Sequence, residues 1–295
     1  LRVKSDSAGL GEKGAASTGG VTPLWRETTA NMENWWQNNQ SKIKKVDYKT
    51  EAPIVIVTGF VAKTREGVPT TLKRSGSDYS ATIFAKLVEA NRVTMWKNTN
   101  GVYTADPRRV PEAFPIQSLK YDEAMELAYF GAQVLHPSAM EPCIEGNIPV
   151  YVRNIFNPSF EGTIIQGRTP SVKETSSGFG NKVKHWRSKS GVVPIKGITS
   201  VDKISLVTLE GAAIGGANVA KRFIGALEDD GITVLIITQA SSESSITVAV
   251  PANEGSRALL ALEQAFELEL ARSTISSLDL IKGMSIVAIV GEGMA

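Results

Sequence analysis

The chain has 295 residues, with 32 basic and 30 acidic side chains and a formal net charge of +2. This balance excludes the clustered basic surface that nucleic acid or an anionic membrane requires, and no apolar run reaches the roughly 20 residues of a membrane span. The single cysteine, Cys143, excludes an internal disulfide framework, favours a reducing compartment and is interpreted as a small buried hydrophobe. We therefore expect a globular protein large enough for two domains, with neither nucleic acid nor a membrane as partner.

The first fifty residues carry weak structural signals. Residues 1–22 are rich in Gly, Ser and Ala without apolar periodicity, which predicts a loop or disorder. Residues 23–45 form a polar stretch with tryptophan anchors and predict one or two helices. Because the chain starts with Leu1 rather than Met, we expect it to be a fragment.

A βαβ unit is predicted next. The Val/Ile run "APIVIVTGFVA" (52–62) indicates a strand covered on both faces. Residues 77–92 show helical apolar spacing, with Ser77 or Asp78 as the N-cap. The short run "VTMW" (93–96) predicts a second strand, so the unit indicates a parallel sheet.

The alternation continues to a change in composition. Two helices are predicted on either side of Gly131, the second ending near Gly146, and a strand over 148–156 follows. Residues 166–192 are rich in Gly, Ser, Thr and Lys, which marks a domain boundary.

Beyond that boundary the order is strand, helix, strand, strand, helix, strand, a ferredoxin-like pattern. The segments "SLVTLEGAAI" (205–214) and "SIVAIVGEGM" (285–294) resemble each other, so a second, truncated copy is expected to begin near the end of the chain.

The segment "KRSGSD" (73–78) lies between a predicted strand and a helix N-terminus. The positive end of the helix dipole favours an anion there, and Arg74 offers a planar fork for a carboxylate or phosphate. Asp78 is not needed for anion binding, so it would hold Mg²⁺, an ammonium group, or the cations Lys73 and Arg74. The structural alternative is an Arg74–Asp78 pair with Asp78 capping the helix.

The loop over 96–111 follows a strand of the same predicted sheet. Tyr103 offers an aromatic face and Arg108 a cation, which together with the helix N-terminus fit a nucleotide. Neither a Walker A motif nor a Gly-x-Gly-x-x-Gly fingerprint is present.

Five ordered motifs resemble the aspartate kinase family: "VTGFVA", "TTLKRSGSDYSA", "NGVYTADPRRV", "YFGAQVLHP" and "IPVYVRNIFNP". The segment "LVTLEGAAIGGANVAKRF" and its continuation resemble an ACT regulatory module. The "TTLKRSGSD" form is most similar to plant and algal bifunctional aspartate kinase–homoserine dehydrogenases.

The resemblance implies an α/β fold, a partial parallel-sheet amino-acid-kinase domain followed by a ferredoxin-like βαββαβ ACT domain. The assigned boundaries are 1–50 unmatched, 51–168 kinase domain, 169–194 linker, 195–283 ACT domain, and 284–295 the start of a truncated second ACT repeat.

The implied reaction is the Mg-ATP-dependent phosphorylation of the L-aspartate β-carboxylate, the first step towards lysine, threonine and methionine. The residues implied for aspartate binding are Phe60, Arg74, Ser77 and Asp78, of which Arg74 and Asp78 are also implied as catalytic. The positions implied for the nucleotide are Lys97, Asn98, Tyr103, Arg108 and Gln133.

Three departures from the family pattern bear on activity. Lys97 and Asn98 stand where the family usually has Thr-Asp, and Gln133 stands where a lysine is common. The family's N-terminal lobe, with its Lys-Phe-Gly-Gly-Thr-Ser motif, is not recognised, so we expect this chain alone to catalyse little.

The resemblance also implies feedback regulation by threonine or lysine. Gln239 matches a sensor position, and the loop residues Gly215, Gly216, Ala217 and Asn218 flank its pocket; the alternative for Gln239 is a polar strand end. A homodimer through ACT domains is expected, with location in the plastid stroma for a plant or algal protein and in the cytoplasm otherwise. The competing functions are a non-catalytic ACT-bearing regulatory chain and an amino-acid kinase acting on another substrate.

Overall fold

The computed structural model describes residues 1–5, 21–43, 54–73, 75–131, 134–167, 195–211, 217–239 and 244–291. The chain divides into two compact units. Of the described residues, those up to Thr199 and those over 288–291 belong to the first unit, and those from Ser200 to Val287 belong to the second. The predicted linker over 169–194 lies outside the described residues. Among the described helices, none combines the length and apolar character needed to cross a membrane.

The first unit begins with a strand pair and a helix: β1 (Val3–Ser5) pairs antiparallel with β2 (Val21–Pro23), and α1 spans Trp25–Ile43. The expectation of loop or disorder throughout 1–22 was therefore wrong for the two strands. They form because Val3 and Val21 are buried in a small cluster with Ile83 and Ala139.

The predicted strand over 52–62 is largely absent, since residues 54–60 form neither helix nor strand. Only its end is extended, in β3 (Val61–Lys63), which pairs antiparallel with β4 (Pro69–Thr71). A strand needs a hydrogen-bonding neighbour as well as an apolar composition, and Ile54 and Ile56 are 90% and 94% exposed. The βαβ unit predicted over 52–96 is consequently not formed.

A four-stranded mixed sheet carries the larger core of this unit. Its helices and strands are α2 (Gly76–Leu87), β5 (Val93–Lys97), β6 (Ser118–Lys120), α3 (Tyr121–Tyr129), α4 (Pro137–Glu145), β7 (Val150–Asn154) and β8 (Thr163–Gln166). The strand order is β5-β7-β8-β6, with β5 parallel to β7, β6 parallel to β8, and β7 antiparallel to β8. The predicted helices around Gly131 and the strand after Gly146 are confirmed, and the sheet is mixed where a parallel one was expected.

The second unit has the predicted ferredoxin-like order. Its elements are β9 (Ile195–Glu210), α5 (Ala217–Asp229), β10 (Ile236–Gln239), β11 (Ser245–Pro251), α6 (Gly255–Ala265), α7 (Glu267–Ala271) and β12 (Ser277–Gly291). Residues 195–199 of β9 and 288–291 of β12 belong to the first unit. The sheet order is β10-β11-β9-β12, and Phe223, Leu262 and Phe266 fill its core. Strand β12 continues through residue 284, where the second repeat was expected to begin.

Candidate active site

The first turn of α2 holds the acidic residue singled out from the sequence. The helix begins at Gly76 and its N-cap is Ser75, whereas Ser77 or Asp78 had been expected to cap it. Ser77 and Asp78 lie two and three positions after the N-cap, because the amide of Tyr79 donates its hydrogen bond to the Ser75 carbonyl at 3.0 Å. The Asp78 carboxylate therefore lies near the positive end of the helix dipole and does not act as the cap.

Three residues around this helix start have left-handed backbone although none is glycine. The φ angles are 71° for Phe60, 56° for Lys73 and 53° for Ser75. Such conformations are costly for residues with a Cβ and concentrate at functional sites, where the surrounding structure holds them in place.

Hydrogen bonds hold Phe60 against α2. The Phe60 carbonyl accepts from the Leu72 amide at 2.8 Å, and the Phe60 amide donates to Ser80 Oγ at 3.3 Å. Ser80 Oγ in turn donates to the Ser77 carbonyl at 2.8 Å. Ser80 is buried, so its hydroxyl links the strained residue directly to the first turn of the helix.

Gly76 allows Phe60 and α2 to approach closely. A Cβ on Gly76 would lie 2.7 Å from the Phe60 ring and 2.9 Å from Leu72 Cβ, closer than real Cβ contacts. Only glycine fits at this position, which explains the Ser-Gly-Ser order of the motif.

Asp78 forms an ion pair with Lys97, the last residue of β5. Lys97 Nζ donates to Asp78 Oδ2 at 2.6 Å, and the two side chains are only 24% and 16% exposed. No local pattern in the sequence indicates this contact, because the two residues are 19 positions apart. The local alternative paired Asp78 with Arg74, which lies outside the described residues.

Amide side chains surround the same strand ends. Lys97 pairs in register with Asn154 at the end of the parallel neighbour β7. Asn154 Nδ2 donates to Asn100 Oδ1 at 2.8 Å, and Asn98 beside them is exposed. The carboxyl ends of parallel strands are where α/β sheets bind ligands, so this edge is the candidate substrate site.

The loop that carries Tyr103 and Arg108 folds back on itself. Tyr103 pairs with Pro115 in an isolated antiparallel bridge. The fully buried Thr163 anchors the loop to β8, since its hydroxyl accepts from the Val102 amide at 2.9 Å and donates to the Ile116 carbonyl at 2.6 Å. Gly101, with φ 124°, passes so close to Thr163 that a Cβ would lie 2.3 Å from its hydroxyl oxygen.

Arg108 is an exposed cation with a fixed orientation. Its Nε and Nη2 donate to the two oxygens of Asp106 at 3.0 and 2.8 Å. The hydrogen bond from Arg108 holds the pKa of the Asp106 carboxyl below its usual value. Asp106 accepts only from Nε and Nη2, so the N–H donors of Nη1 are not used in this pair.

In the second unit, Gln239 and the start of α5 lie at the same end of the sheet. Strand β11 is antiparallel to both β9 and β10, so these two strands run in the same direction and end together. Gln239 is the exposed last residue of β10, while Ala217 and the exposed Asn218 begin α5 after β9. Gly215, Gly216 and Gln133 lie outside the described residues.

The described residues contain no group of three or more His, Cys, Asp or Glu side chains placed to hold a metal ion. At the candidate site the Asp78 carboxylate is engaged by Lys97, and the neighbouring asparagines supply only amide groups. This donor set does not fit a Mg²⁺ site made by the protein alone, which needs several oxygen ligands including carboxylates.

Two family models match the chain. The amino acid kinase family matches residues 12–154, and the ACT domain matches residues 207–266. The first match thus starts within the segment that had no recognised motif.

Relatives and solved structures agree with these matches. The chain is 39% identical over 280 residues to bifunctional aspartokinase/homoserine dehydrogenase 2 of Arabidopsis thaliana, a chloroplastic protein, covering 95% of this chain and 28% of that relative. It is similar, at 25% identity, to E. coli aspartokinase III in complex with aspartate and ADP (TM-score 0.66, 93% of this chain and 54% of that one). The same enzyme in complex with lysine and aspartate gives a TM-score of 0.64 over 92% of this chain and 53% of that one. The chain therefore spans little more than half of the aspartokinase and under a third of the bifunctional relative.

Proposed function

We propose that the chain is part of a feedback-regulated aspartate kinase, because residues 12–154 match the amino acid kinase family and residues 207–266 match an ACT domain. The reaction is transfer of the ATP γ-phosphoryl group to the β-carboxylate of L-aspartate, which gives aspartyl phosphate. The observation that carries this proposal is the likeness to aspartokinases, which extends over nearly the whole chain and includes both domains.

The aspartate site of this proposal is the start of α2. Ser77 and Asp78 lie in the first turn of α2, Phe60 packs against Gly76, and Arg74 precedes the helix in the sequence. Asp78 would receive the substrate ammonium group, and Arg74 would pair with a substrate carboxylate through its planar fork. The complex of the E. coli relative with aspartate and ADP supports a site of this kind.

The nucleotide side of the proposal uses the neighbouring strand ends and the loop anchored by Thr163. Tyr103 supplies an aromatic face and Arg108 a phosphate-binding cation, with Asn98 and Gln133 as further contacts. Phosphoryl transfer depends mainly on positioning and charge neutralisation, which oriented cations and a helix N-terminus provide.

Mg²⁺ would enter with the nucleotide, coordinated by its phosphates, and would neutralise their charge. The protein residues described here hold the substrate groups and do not form a metal site of their own.

Regulation would act through the ACT domain, with Gln239, Gly215, Gly216, Ala217 and Asn218 around an inhibitory lysine or threonine. The relative in complex with lysine supports an amino acid as effector. We further propose a homodimer through ACT domains and, from the chloroplastic relatives, a plastid location.

The competing proposal is a regulatory chain that binds an amino acid without catalysis, which the Lys97-Asn98 departure favours. To separate the two, the protein expressed at its full natural length is incubated with Mg-ATP and either aspartate or glutamate, and ADP release is measured. Release that depends on aspartate supports the kinase. Binding of lysine or threonine by calorimetry, without ADP release from either substrate, would instead favour the regulatory chain.

A further inference from the structure

We propose that Lys97 is a positioning residue for Asp78: its ammonium group neutralises and orients the Asp78 carboxylate, and so sets the affinity for aspartate. This inference rests on the proposed function. It assigns Lys97 a different task from the nucleotide contact that the family resemblance implies.

The burial of the pair is the first reason. The Lys97 and Asp78 side chains are 24% and 16% exposed, whereas those of the Lys86–Glu145 pair, which joins α2 to α4, are 30% and 57% exposed. Exposed pairs contribute little free energy because water screens them, whereas a carboxylate removed from water needs a counter-ion. We therefore expect the Asp78–Lys97 contact to contribute more free energy than an exposed ion pair does.

The elements that carry the pair are the second reason. Asp78 lies in the first turn of α2, and Lys97 ends β5, at the sheet edge where ligands are expected. The hydrogen bond of 2.6 Å joins these two elements, so the orientation of the carboxylate depends on a residue from another part of the fold.

The charge of the substrates is the third reason. Aspartate carries two carboxylates and ATP several phosphate charges, so an uncompensated Asp78 would repel both. With Lys97 on Oδ2, the pair is neutral and Oδ1 can still accept a hydrogen bond from the substrate ammonium group. A side chain at position 97 without a charge cannot provide this compensation.

The test compares variants of the protein at its full natural length. Lys97→Met removes the charge and keeps the length of the side chain; we expect KM for aspartate to rise about tenfold, with KM for ATP within about twofold of wild type. Lys97→Arg keeps the cation and should restore most of the affinity. Lys86→Met is the matched control. Lys86 lies in the last turn of α2, at the opposite end from Asp78, and forms an ion pair with Glu145 of α4.

A calorimetric double-mutant cycle isolates the pair. The Kd for aspartate should rise on Lys97→Met in the wild-type background and change little in an Asp78→Asn background, because the carboxylate on which Lys97 acts is then absent. Thermal unfolding of each variant excludes a loss of folding as the cause.

Several outcomes would overturn the inference while leaving the kinase proposal intact. They are an unchanged KM for aspartate in Lys97→Met, a rise confined to KM for ATP, or equal effects of Lys97→Met in both backgrounds. A wild-type protein that neither binds nor phosphorylates aspartate would overturn both.

Discussion

At the scale of single residues, the candidate site depends on side chains whose conformations are fixed by neighbours. Phe60, Lys73 and Ser75 hold left-handed backbone, and the Ser80 hydroxyl ties Phe60 to the first turn of α2. The cost of these conformations is met by packing around Gly76 and by the hydrogen bonds of the turn. The result is an acidic side chain at a helix N-terminus with a defined orientation.

Asp78→Asn should reduce aspartate phosphorylation at least a hundredfold, because the amide cannot bind an ammonium group as a carboxylate does. The rate of hydroxamate formation from aspartate measures this. Asp122→Asn is the matched control, since Asp122 is an exposed carboxylate in the first turn of α3. Near-normal turnover in Asp78→Asn would show that Asp78 does not bind the substrate ammonium group.

Arg108→Gln should raise KM for ATP about tenfold, as expected for the loss of one charge-assisted hydrogen bond, and leave KM for aspartate nearly unchanged. Initial rates at varied ATP and at varied aspartate separate the two effects. Arg109→Gln is the matched control, because Arg109 is the adjacent exposed cation and its replacement lowers the net charge by the same amount. If Arg108→Gln and Arg109→Gln behave alike, Arg108 has no specific nucleotide role.

The residue types of the site could be predicted from the sequence, but their partners could not. Asp78 stood out because it follows two cations and two serines at a helix start. The family resemblance implies a nucleotide contact for Lys97. Its pairing with Asp78 joins two elements and leaves no local pattern in the sequence. Ser80 carries no signal either, since a serine inside a helix is ordinary until its hydroxyl is seen to accept from Phe60.

At the scale of elements, the helices predicted for the first unit are present, whereas the strand predicted over 52–62 is largely absent. α2, α3 and α4 each have local apolar spacing and turn residues at their ends, which is the information a helix needs. The run at 54–57 has strand-like composition, but pairing is a non-local property and no described strand pairs with it. Composition therefore indicated where a strand could form and gave no information on its partner.

The Tyr121 hydroxyl links α3 to the chain just before β7, and its removal should lower the free energy of unfolding. The buried Tyr121 hydroxyl donates to the Ile148 carbonyl at 2.8 Å. Tyr121→Phe leaves that carbonyl without its donor, so we expect a loss of about 2 kcal/mol in the free energy of unfolding at pH 7. Urea unfolding followed by circular dichroism measures it, and an unchanged midpoint would contradict the assignment.

Tyr121→Phe should also change how the stability of the protein depends on pH. Burial raises the pKa of Tyr121 to about 12, above the ordinary value of about 10 in the unfolded chain. Above pH 10 the unfolded state releases the proton first, so the stability that this tyrosine contributes is present below pH 10 and lost between about pH 10 and 12. Tyr121→Phe should therefore lose less stability than wild type over that interval.

At the scale of the whole molecule, the chain combines a segment that matches the amino acid kinase family with a ferredoxin-like module. The order of elements in the second unit was predictable because each strand and helix has its own period and the order βαββαβ has few topological solutions. Any coupling between the proposed effector site and the proposed aspartate site is a free energy that inhibition kinetics can measure.

Gln239→Ala should raise the concentration of lysine or threonine needed for half-inhibition about tenfold, with the uninhibited rate unchanged, because it removes a hydrogen-bonding side chain from the proposed effector pocket. Inhibition curves for each amino acid measure this. Thr238→Ala is the matched control, since neighbouring residues of a strand point to opposite faces. Equal inhibition of wild type and Gln239→Ala would exclude Gln239 as the sensor.

The most direct test of the central claim is the formation of aspartyl phosphate itself. The protein at its full natural length is incubated with Mg-ATP, aspartate and hydroxylamine, and aspartyl hydroxamate is identified by mass spectrometry. If the protein is a feedback-regulated aspartate kinase, hydroxamate forms only when both ATP and aspartate are present, and its amount decreases when lysine or threonine is added. Absence of hydroxamate from a folded protein that binds ATP and aspartate would contradict the assignment as an aspartate kinase.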